Sequence, residues 1–269
     1  RRVLVGTASP LRKPDGSAAG GVLITRDETE RRLEEQRRER LLDALAKSNA
    51  ELDQFAYVAS HDLKAPLRGI GNLAQWIEED LAGALTPEAA RHLALLRGRV
   101  TRLEGLIDGI LAYSRAGRSH AQAETVDAGA VLHEVVELLA PPAEATVTLG
   151  PMPSLVVERV PFQQVFLNLV GNALKHGGRA VRVEVSCQDE GPWLHFVVRD
   201  DGPGIPPEFH DRIWGIFQTL RARDDLESTG IGLSVVRKIV ESRGGRVWLE
   251  SRPGEGAAFH VRWPRKPAE

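Results

Sequence analysis

The sequence has only one cysteine, Cys187, among its 269 residues. An intramolecular disulfide framework and a metal site built from several cysteines are therefore excluded. No apolar run approaches the roughly 18 residues that a membrane-spanning helix requires, and the N-terminus has no signal-peptide pattern. The net charge of −2 provides no electrostatic basis for binding nucleic acid or an anionic membrane. These absences predict a cytoplasmic chain with no transmembrane segment and no nucleic-acid partner.

No methionine begins the chain, which starts at Arg1. We therefore expect a fragment of a longer protein whose upstream part carries another domain. Two short strands are predicted at residues 3–5 and 21–25, and two strands alone do not make a stable core. Residues 20–31 resemble the last strand and exit motif of a PAS sensor domain, which implies that residues 1–27 are the remnant of a PAS-like domain. An N-terminal arm that pairs with nothing is the alternative.

From residue 29 to residue 81 the composition changes to Glu, Arg, Leu and Ala, which favours one long helix. The residues of its seam follow one another at alternating steps of four and three, as in a coiled coil: Leu41, Leu45, Ser48, Leu52, Phe55 and Ala59. Pro66 lies inside this pattern and removes one backbone hydrogen bond, so we expect a kink just after His61.

A second helix is predicted over residues 87–115. Thr86 suits an N-cap, Pro87 suits the first helical position, and Glu88 places a negative charge in the first turn. The apolar residues keep the three-four spacing and are Leu93, Leu96, Val100, Leu103, Ile107 and Ile110. Two such helices form an antiparallel hairpin with a half-covered seam, which a second copy would complete as a dimeric four-helix bundle. Packing of both helices on the rest of their own chain is the alternative.

The composition changes again after a small, polar linker at residues 116–122, which we interpret as a hinge. Beyond it, the patterns predict helices at 128–139, 161–176 and 231–243 and strands at 145–149, 180–187, 193–199, 246–251 and 258–263. Helices on one face of a largely antiparallel sheet are the expected arrangement. The predicted fold class is therefore an α-helical hairpin followed by an α/β sandwich.

One predicted helix carries a polar face with the chemistry of a ligand site. Asn168, Asn172 and Lys175 follow one another at i, i+4 and i+7, so they share one face. The residues of the apolar face are Val165, Phe166, Leu169 and Ala173. Two carboxamides and a lysine suit Mg²⁺ and phosphate, because a hard cation takes oxygen ligands. A solvated helix face has the same composition, so this helix alone does not decide between the two.

Two glycine motifs follow farther along the chain. Residues 200–205 read Asp-Asp-Gly-Pro-Gly-Ile after a predicted strand, where glycine allows a ligand to approach closely, although this motif alone often marks only a turn. Residues 229–232 read Thr-Gly-Ile-Gly and open a helix, so backbone amides there would face an anion. The polar segment 217–228 between them is long enough for a mobile lid. A third glycine turn, at residues 253–256, is interpreted as a plain hairpin.

The order of these elements is more specific than any one of them. Taken alone, His61 would be interpreted as an ordinary surface imidazole, but Asp62 beside it and the nucleotide-like motifs change that. Together they resemble a sensor histidine kinase, in which a dimerisation and phosphoacceptor hairpin precedes an ATP-binding domain of the GHKL ATPase type. The resemblance implies a coiled-coil linker and hairpin over residues 28–118 and a catalytic domain over residues 119–269.

The resemblance implies a role for each motif residue. His61 is the expected phosphoacceptor and Asp62 its acid/base partner. ATP and Mg²⁺ are the implied cofactors, with Asn172 as the metal ligand and Asn168 in support. A homodimer, an upstream sensor domain and the receiver domain of a response regulator are the implied partners. Autophosphorylation of His61 followed by transfer to an aspartate of that regulator is the implied reaction.

The implied nucleotide contacts begin with Lys175 and His176, which would approach the phosphates. Asp200 would accept a hydrogen bond from the adenine amino group. The other implied nucleotide-binding residues are Gly202 and Gly204 at the start of the lid, Phe217 as its anchor, Gly230 and Gly232 along the triphosphate, and Leu233 beside them.

Two positions depart from the commonest pattern of the family. Ala65 stands four residues after His61, where many relatives carry a Thr or Asn that positions water for dephosphorylation, so we expect weak or absent phosphatase activity by that route. Thr219 stands in the lid where relatives often have Arg, and Arg221 or Arg223 could take its place.

Two other functions are compatible with parts of this pattern. A catalytically silent dimeric signalling scaffold would keep the fold, but intact Asn172, Asp200 and Gly230 argue against it. A GHKL ATPase without a phosphohistidine would keep the nucleotide motifs, but the heptad hairpin with His61 and Asp62 argues against that.

Overall fold

The computed structural model describes residues 3–14, 17–117, 122–178, 180–219 and 229–266. It divides into two units, Arg1–Phe55 and Ala56–Glu269, and one long helix contributes to both. In the described part of the chain, no helix combines the length and the apolar composition that crossing a membrane requires.

The first unit contains an antiparallel pair of strands, β1 (Leu4–Arg12) and β2 (Ala18–Asp27). Both strands are longer than the predicted segments 3–5 and 21–25. Strand β1 runs through Pro10, which is tolerated because both strands of a two-stranded ribbon are edge strands. Every residue of β1 is exposed, as expected for a ribbon without a core of its own.

The junction between β2 and the following helix is held by side chains. Thr29 donates its hydroxyl to Asp27 at 2.5 Å and accepts the backbone N–H of Val3 at 2.7 Å. The hydrogen bonds from Thr29 lower the pKa of the Asp27 carboxyl, because they favour its charged form. These contacts connect the start of β1 to the end of β2 and to the first turn of the helix.

Two long helices follow, as predicted: α1 (Thr29–Asp80) and α2 (Pro87–Arg115). Helix α1 continues through Pro66, and a bend at that position stays a prediction. Thr86 caps α2, because its hydroxyl accepts the N–H of Ala89 at 3.2 Å.

The hairpin of α1 and α2 has a narrow buried seam and a broad exposed one. Ala74 of α1 and Val100 and Ile107 of α2 are buried, and a Cβ atom on Gly71 of α1 would lie 3.5 Å from the Val100 side chain. The large apolar residues that are exposed on these two helices and the turn between them include Leu33, Leu41, Leu42, Val58, Leu63, Ile70, Leu73, Trp76, Ile77, Leu81, Leu95, Leu96, Leu103 and Ile110. Two helices thus bury only part of the apolar surface that the heptad pattern provides.

The rest of the second unit is an α/β sandwich. Its helices are α3 (Ala128–Leu139), α4 (Arg159–His176) and α5 (Gly232–Glu241). Its strands are β3 (Glu124–Asp127), β4 (Thr146–Leu149), β5 (Ser154–Val157), β6 (Arg182–Asp189), β7 (Trp193–Asp200), β8 (Arg246–Ser251) and β9 (Ala257–Pro264). The main sheet has the order β4-β6-β7-β9-β8 and is antiparallel except for the pair β4 and β6, and β3 pairs with β5 separately.

The predicted helices and main strands are confirmed with small shifts, but β3 and β5 were missed. Each of these two strands has four residues, which is too short for an alternating pattern to stand out. Helix α4 begins at Arg159, two residues before Pro161. A proline is tolerated there because the first backbone N–H groups of a helix have no partner within it.

Alternation along β7 sets the direction of the functional site. Leu194, Phe196 and Val198 are buried, and Phe196 packs edge-on against Phe166 of α4 with ring centroids 5.3 Å apart. Asp200 continues the same alternation and is also buried. The carboxylate of Asp200, the last residue of β7, therefore points toward the helical layer, on the same side of the sheet as the buried apolar side chains of Leu194, Phe196 and Val198.

Candidate nucleotide and phosphoacceptor site

A cavity of about 540 Å³ opens between the helical layer and the end of the sheet. Much of its polar lining comes from α4, from the loop after β7 and from the start of α5. The predicted site residues that line it are Asn168, Asn172, Lys175, His176, Asp200, Gly204, Gly230, Gly232 and Leu233. Motifs separated by sixty residues in the sequence thus meet in one cavity.

Helix α4 presents one polar face to the cavity and buries the opposite one. Gln164, Asn168 and Asn172 line the cavity at steps of four, whereas Val165 and Phe166 are fully buried. Asn168 donates its side-chain N–H to the carbonyl of Gln164 at 2.8 Å. That bond orients the carboxamide so that its oxygen faces the start of α5.

Asp200 is the buried acidic residue of the cavity, with 8% of its surface exposed. Burial raises the pKa of its carboxyl, although the amides of Gly202 and Ala257 oppose this by donating hydrogen bonds to the carboxylate. The Gly202 N–H lies 2.9 Å from Oδ1. A buried carboxylate that keeps acceptor capacity toward a cavity is suited to an N–H donor of a ligand.

The start of α5 meets α4 at close range. A Cβ atom on Gly232 would lie 2.7 Å from the Asn168 side-chain oxygen, so a larger residue there would displace that carboxamide. Ile231 precedes the helix and provides no side-chain cap. The first amides of α5 therefore face the cavity beside a carboxamide oxygen, an arrangement that suits an anion together with its counter-cation.

Helix α2 also contributes to the cavity, through Asp108, Gly109 and Ala112. Ile231 packs so closely on α2 that a Cβ on Gly109 would lie 2.4 Å from its Cδ1. Farther along α5, Lys238 donates to the carbonyl of Tyr113 at 2.7 Å, close to the C-terminal end of α2. The hairpin and the sandwich are therefore in direct contact at the glycine-led end of α5.

His61 and Asp62 form a pair outside the cavity. Nδ1 of His61 lies 3.2 Å from Oδ1 of Asp62, and both side chains are about 70% exposed. One turn later on α1, Lys64 makes an ion pair with Asp108, which lines the cavity. The imidazole is thus accessible to solvent and lies on the helix that contacts the rim of the cavity.

Two of the predicted nucleotide-binding residues do not line the cavity. Gly202 acts through its N–H, which bonds to Asp200. Phe217 has a positive φ of 63° and a side chain that is 53% exposed. Thr219 lines the cavity, whereas Arg221 and Arg223 lie outside the described residues.

Sequence reasoning did not identify several residues that line the cavity as part of the site: Asp108, Gly109, Ala112, Gln164, Phe209, Ile213, Ala257 and Phe259. Gln164 could have been found, since it lies four residues before Asn168 on the same face. The α2 residues had no local signal, because their role depends on the contact between two distant helices.

Two family models match the chain in its two predicted functional parts. Residues 51–119 match the His Kinase A (phospho-acceptor) domain. Residues 158–267 match the histidine kinase-, DNA gyrase B-, and HSP90-like ATPase. The fold and the cavity thus define a phosphoacceptor helical region followed by an ATPase domain of the GHKL type. The chain belongs to the histidine kinase family.

Individual relatives agree with this assignment. The phytochrome-like protein Cph1 of Synechocystis sp. is 36% identical over 225 residues, which cover 82% of this chain and 30% of that protein. The crystal structure of full-length ShkA in complex with AMPPNP aligns with 27% identity and a TM-score of 0.59, covering 80% of this chain and 46% of that one. The histidine kinase ThkA, in complex with the response regulator protein TrrA, shares the fold with 22% identity and a TM-score of 0.53, over 96% of this chain and 74% of that one.

Proposed function

We propose that this chain is the cytoplasmic kinase region of a sensor histidine kinase in a two-component system. It would transfer the γ-phosphoryl group of ATP to His61 and then to an aspartate on the receiver domain of a response regulator. The observation that carries the proposal is one chain that combines the cavity of Asn172, Asp200 and Gly232 with an exposed imidazole paired to a carboxylate.

The pairing with Asp62 favours Nε2 as the nucleophilic atom of His61. An ionised carboxylate only accepts hydrogen bonds, so Nδ1 is the protonated nitrogen of the neutral ring and Nε2 carries the lone pair. Nε2 attacks the γ-phosphorus, the P–N bond forms, and the bond from phosphorus to the bridging oxygen breaks as ADP leaves. The ring gains positive charge in this step, and Asp62 stabilises that charge and can take the Nδ1 proton.

The lining of the cavity supports ATP as the phosphoryl donor. Asp200 is suited to the adenine amino group, and the first amides of α5 to the phosphates, near exposed Lys175 and His176. The carboxamide oxygens of Asn172 and Asn168 fit Mg²⁺, which takes oxygen ligands. The metal would neutralise phosphate charge, while the protein residues align the nucleotide.

The exposed seam of the hairpin supports a homodimer. Large apolar side chains on α1 and α2 lie at heptad spacing and are left uncovered, including Ile70, Ile77, Leu96 and Leu103. A second copy would bury this seam in a four-helix bundle. We propose residues 28–118 as the linker and dimerisation region, 119–269 as the catalytic domain, and 1–27 as the end of a PAS-like sensor domain.

The proposed partner is a response regulator, by analogy with the ThkA complex, which shares the fold. Ala65 is exposed on α1 one turn after His61 and has no polar atom with which to orient water. We therefore propose that the chain phosphorylates its partner but removes the phosphate weakly by the route that uses this position.

One experiment separates this function from its two alternatives. The protein is incubated with ATP labelled at the γ-phosphate, and both protein-bound label and released phosphate are measured. A kinase gives acid-labile label on the wild type and none on His61→Gln. Hydrolysis without labelling would identify an ATPase without a phosphohistidine, and neither label nor hydrolysis would identify a silent scaffold.

A further inference from the structure

The turn between β8 and β9 packs directly on the loop that follows Asp200. This turn was interpreted from sequence as a plain hairpin. In the structure, the N–H of Gly254 donates to the carbonyl of Pro203 at 2.7 Å. The turn therefore has a partner, and that partner carries Asp200 and Gly204, both of which line the cavity.

Ser251, the last residue of β8, connects the two segments through one hydroxyl group. Its Oγ accepts the N–H of Ile205 at 2.8 Å and donates to the carbonyl of Gly256 at 2.6 Å. Both bonds have good lengths for their types. One side chain thus fixes the far end of the loop after β7 and the far end of the turn before β9.

The backbone contact around this hydroxyl has no spare room. Gly204 has a φ of +72°, and a Cβ atom on it would lie 2.0 Å from the carbonyl oxygen of Arg252. A Cβ atom on Gly256 would lie 2.0 Å from the carbonyl oxygen of Asp200. Since each segment touches the backbone of the other, a displacement of the turn displaces the loop as well.

The loop and the residue that follows the turn both donate hydrogen bonds to the carboxylate of Asp200. That group accepts hydrogen bonds from the N–H of Gly202 within the loop and from the N–H of Ala257, which directly follows Gly256. Ser251 bonds to the residue before Ala257 and to the residue after Gly204. It therefore holds both backbone segments that orient the carboxylate.

We infer that Ser251 is a positioning residue for nucleotide binding, which acts through the loop of residues 200–205 on the base-binding end of the cavity. This inference rests on the proposed function, because it takes Asp200 to be the contact to the base. Loss of the hydroxyl leaves the Ile205 N–H and the Gly256 carbonyl without their partner. The loop then moves relative to the turn, and Asp200 loses its fixed orientation.

The test compares Ser251→Ala with wild type by calorimetric titration with ATP and with ADP. We expect the affinity for both nucleotides to fall by the same factor, about fivefold to tenfold. This factor corresponds to the free energy of one ordinary hydrogen bond. Ser251→Thr, which keeps the hydroxyl, should restore binding. Ser186→Ala is the matched control, because Ser186 lies in the same sheet but is paired with Val197 rather than bonded to the loop of residues 200–205.

A second measurement reads the positioning directly. Hydrogen exchange of the Ile205 amide in the protein without nucleotide should accelerate in Ser251→Ala and stay at the wild-type rate in Ser186→Ala. In the background of Asp200→Asn, the further substitution Ser251→Ala should change nucleotide affinity little, since the residue through which it acts is already altered.

The outcomes separate the inference from the proposed function. Wild-type affinity in Ser251→Ala, or a loss that is larger for ATP than for ADP, would overturn the positioning role and leave the kinase proposal intact. Failure of the wild type to bind either nucleotide would overturn the proposed function and this inference together.

Discussion

The helical hairpin and the α/β sandwich differ in how far one copy of the chain completes them. In the sandwich, large side chains such as Phe162, Phe166 and Trp263 are buried almost completely. In the hairpin, Ile70, Leu73 and Leu103 are between 45% and 55% exposed. The sandwich therefore has the core of an independent domain, whereas the hairpin presents the surface of half a bundle.

This difference separates the two tasks of the proposed kinase. A nucleotide cavity needs fixed geometry, and a closed core around α4 and β7 provides it. A phosphoacceptor helix must meet both the nucleotide domain and a partner protein, and His61 is exposed accordingly. The two regions should respond differently to substitution, and the following predictions test that difference, beginning with the largest effect.

Phe166→Ala should destabilise the sandwich most. Phe166 is fully buried, and its ring contacts those of Phe162 and Phe196. Removing such a ring costs about 3–5 kcal/mol. Chemical denaturation followed by circular dichroism measures the free energy of unfolding. Leu138→Ala is the control, because Leu138 is 66% exposed. This substitution should lower the free energy of unfolding by less than about 0.5 kcal/mol. Equal losses of stability in the two variants would contradict a closed core.

Leu103→Asp should dissociate the proposed dimer without unfolding the sandwich. A symmetric interface would bury two carboxylates at once, at a cost of about 3 kcal/mol, or roughly a hundredfold in dissociation constant. Light scattering over a range of concentrations measures this. Arg91→Asp introduces the same carboxylate at an exposed position away from that seam and should leave the dimer intact. Dissociation in both variants, or in neither, would refute the assigned seam.

Asp200→Asn should weaken ATP binding by about tenfold to a hundredfold, because that factor corresponds to the free energy of one hydrogen bond to a charged group. Because burial raises the pKa of this carboxyl, ATP affinity of the wild type should also fall as the pH is lowered through the raised pKa. The calorimetric titration of Asp200→Asn should lack that dependence.

The same substitution should have the opposite effect on the protein without nucleotide. A raised pKa means that the folded state favours the protonated carboxyl, so the ionised form costs stability once the pH exceeds the ordinary value of 3.8. Asp200→Asn should therefore unfold at a higher temperature than wild type at pH 7, and this advantage should disappear below pH 3.8. A lower melting temperature at pH 7 would contradict the cost of burying the carboxylate.

Gly109→Ala should have the smallest effect, confined to the contact between the two regions. A methyl group on Gly109 overlaps Ile231, so the start of α5 must move away from α2. Hydrogen exchange should increase at the first amides of α5 and stay unchanged in α3. Gly69→Ala is the control, because a Cβ there meets nothing within 4 Å. Unchanged exchange in α5 would show that the contact is not maintained in solution.

The sequence predicted most of the elements but only part of the cavity. Helices α1 and α2 were predictable because their apolar residues repeat over many turns, and Asn168 and Asn172 because they share one helix face. The strands β3 and β5 were too short to show a pattern. The roles of Gly109 and Ser251 depend on contacts across the fold, which residue spacing along the chain does not encode.

The most direct test of the proposed kinase reaction is to locate the phosphoryl group after reaction with ATP. The protein is incubated with ATP and Mg²⁺, kept at alkaline pH to preserve phosphohistidine, and mapped by mass spectrometry together with Asn172→Ala and Asp200→Asn. We expect one phosphoryl group, on the imidazole of His61, which is absent in Asn172→Ala and reduced in Asp200→Asn. Phosphate on another residue, or on His61 regardless of these substitutions, would contradict the proposed reaction.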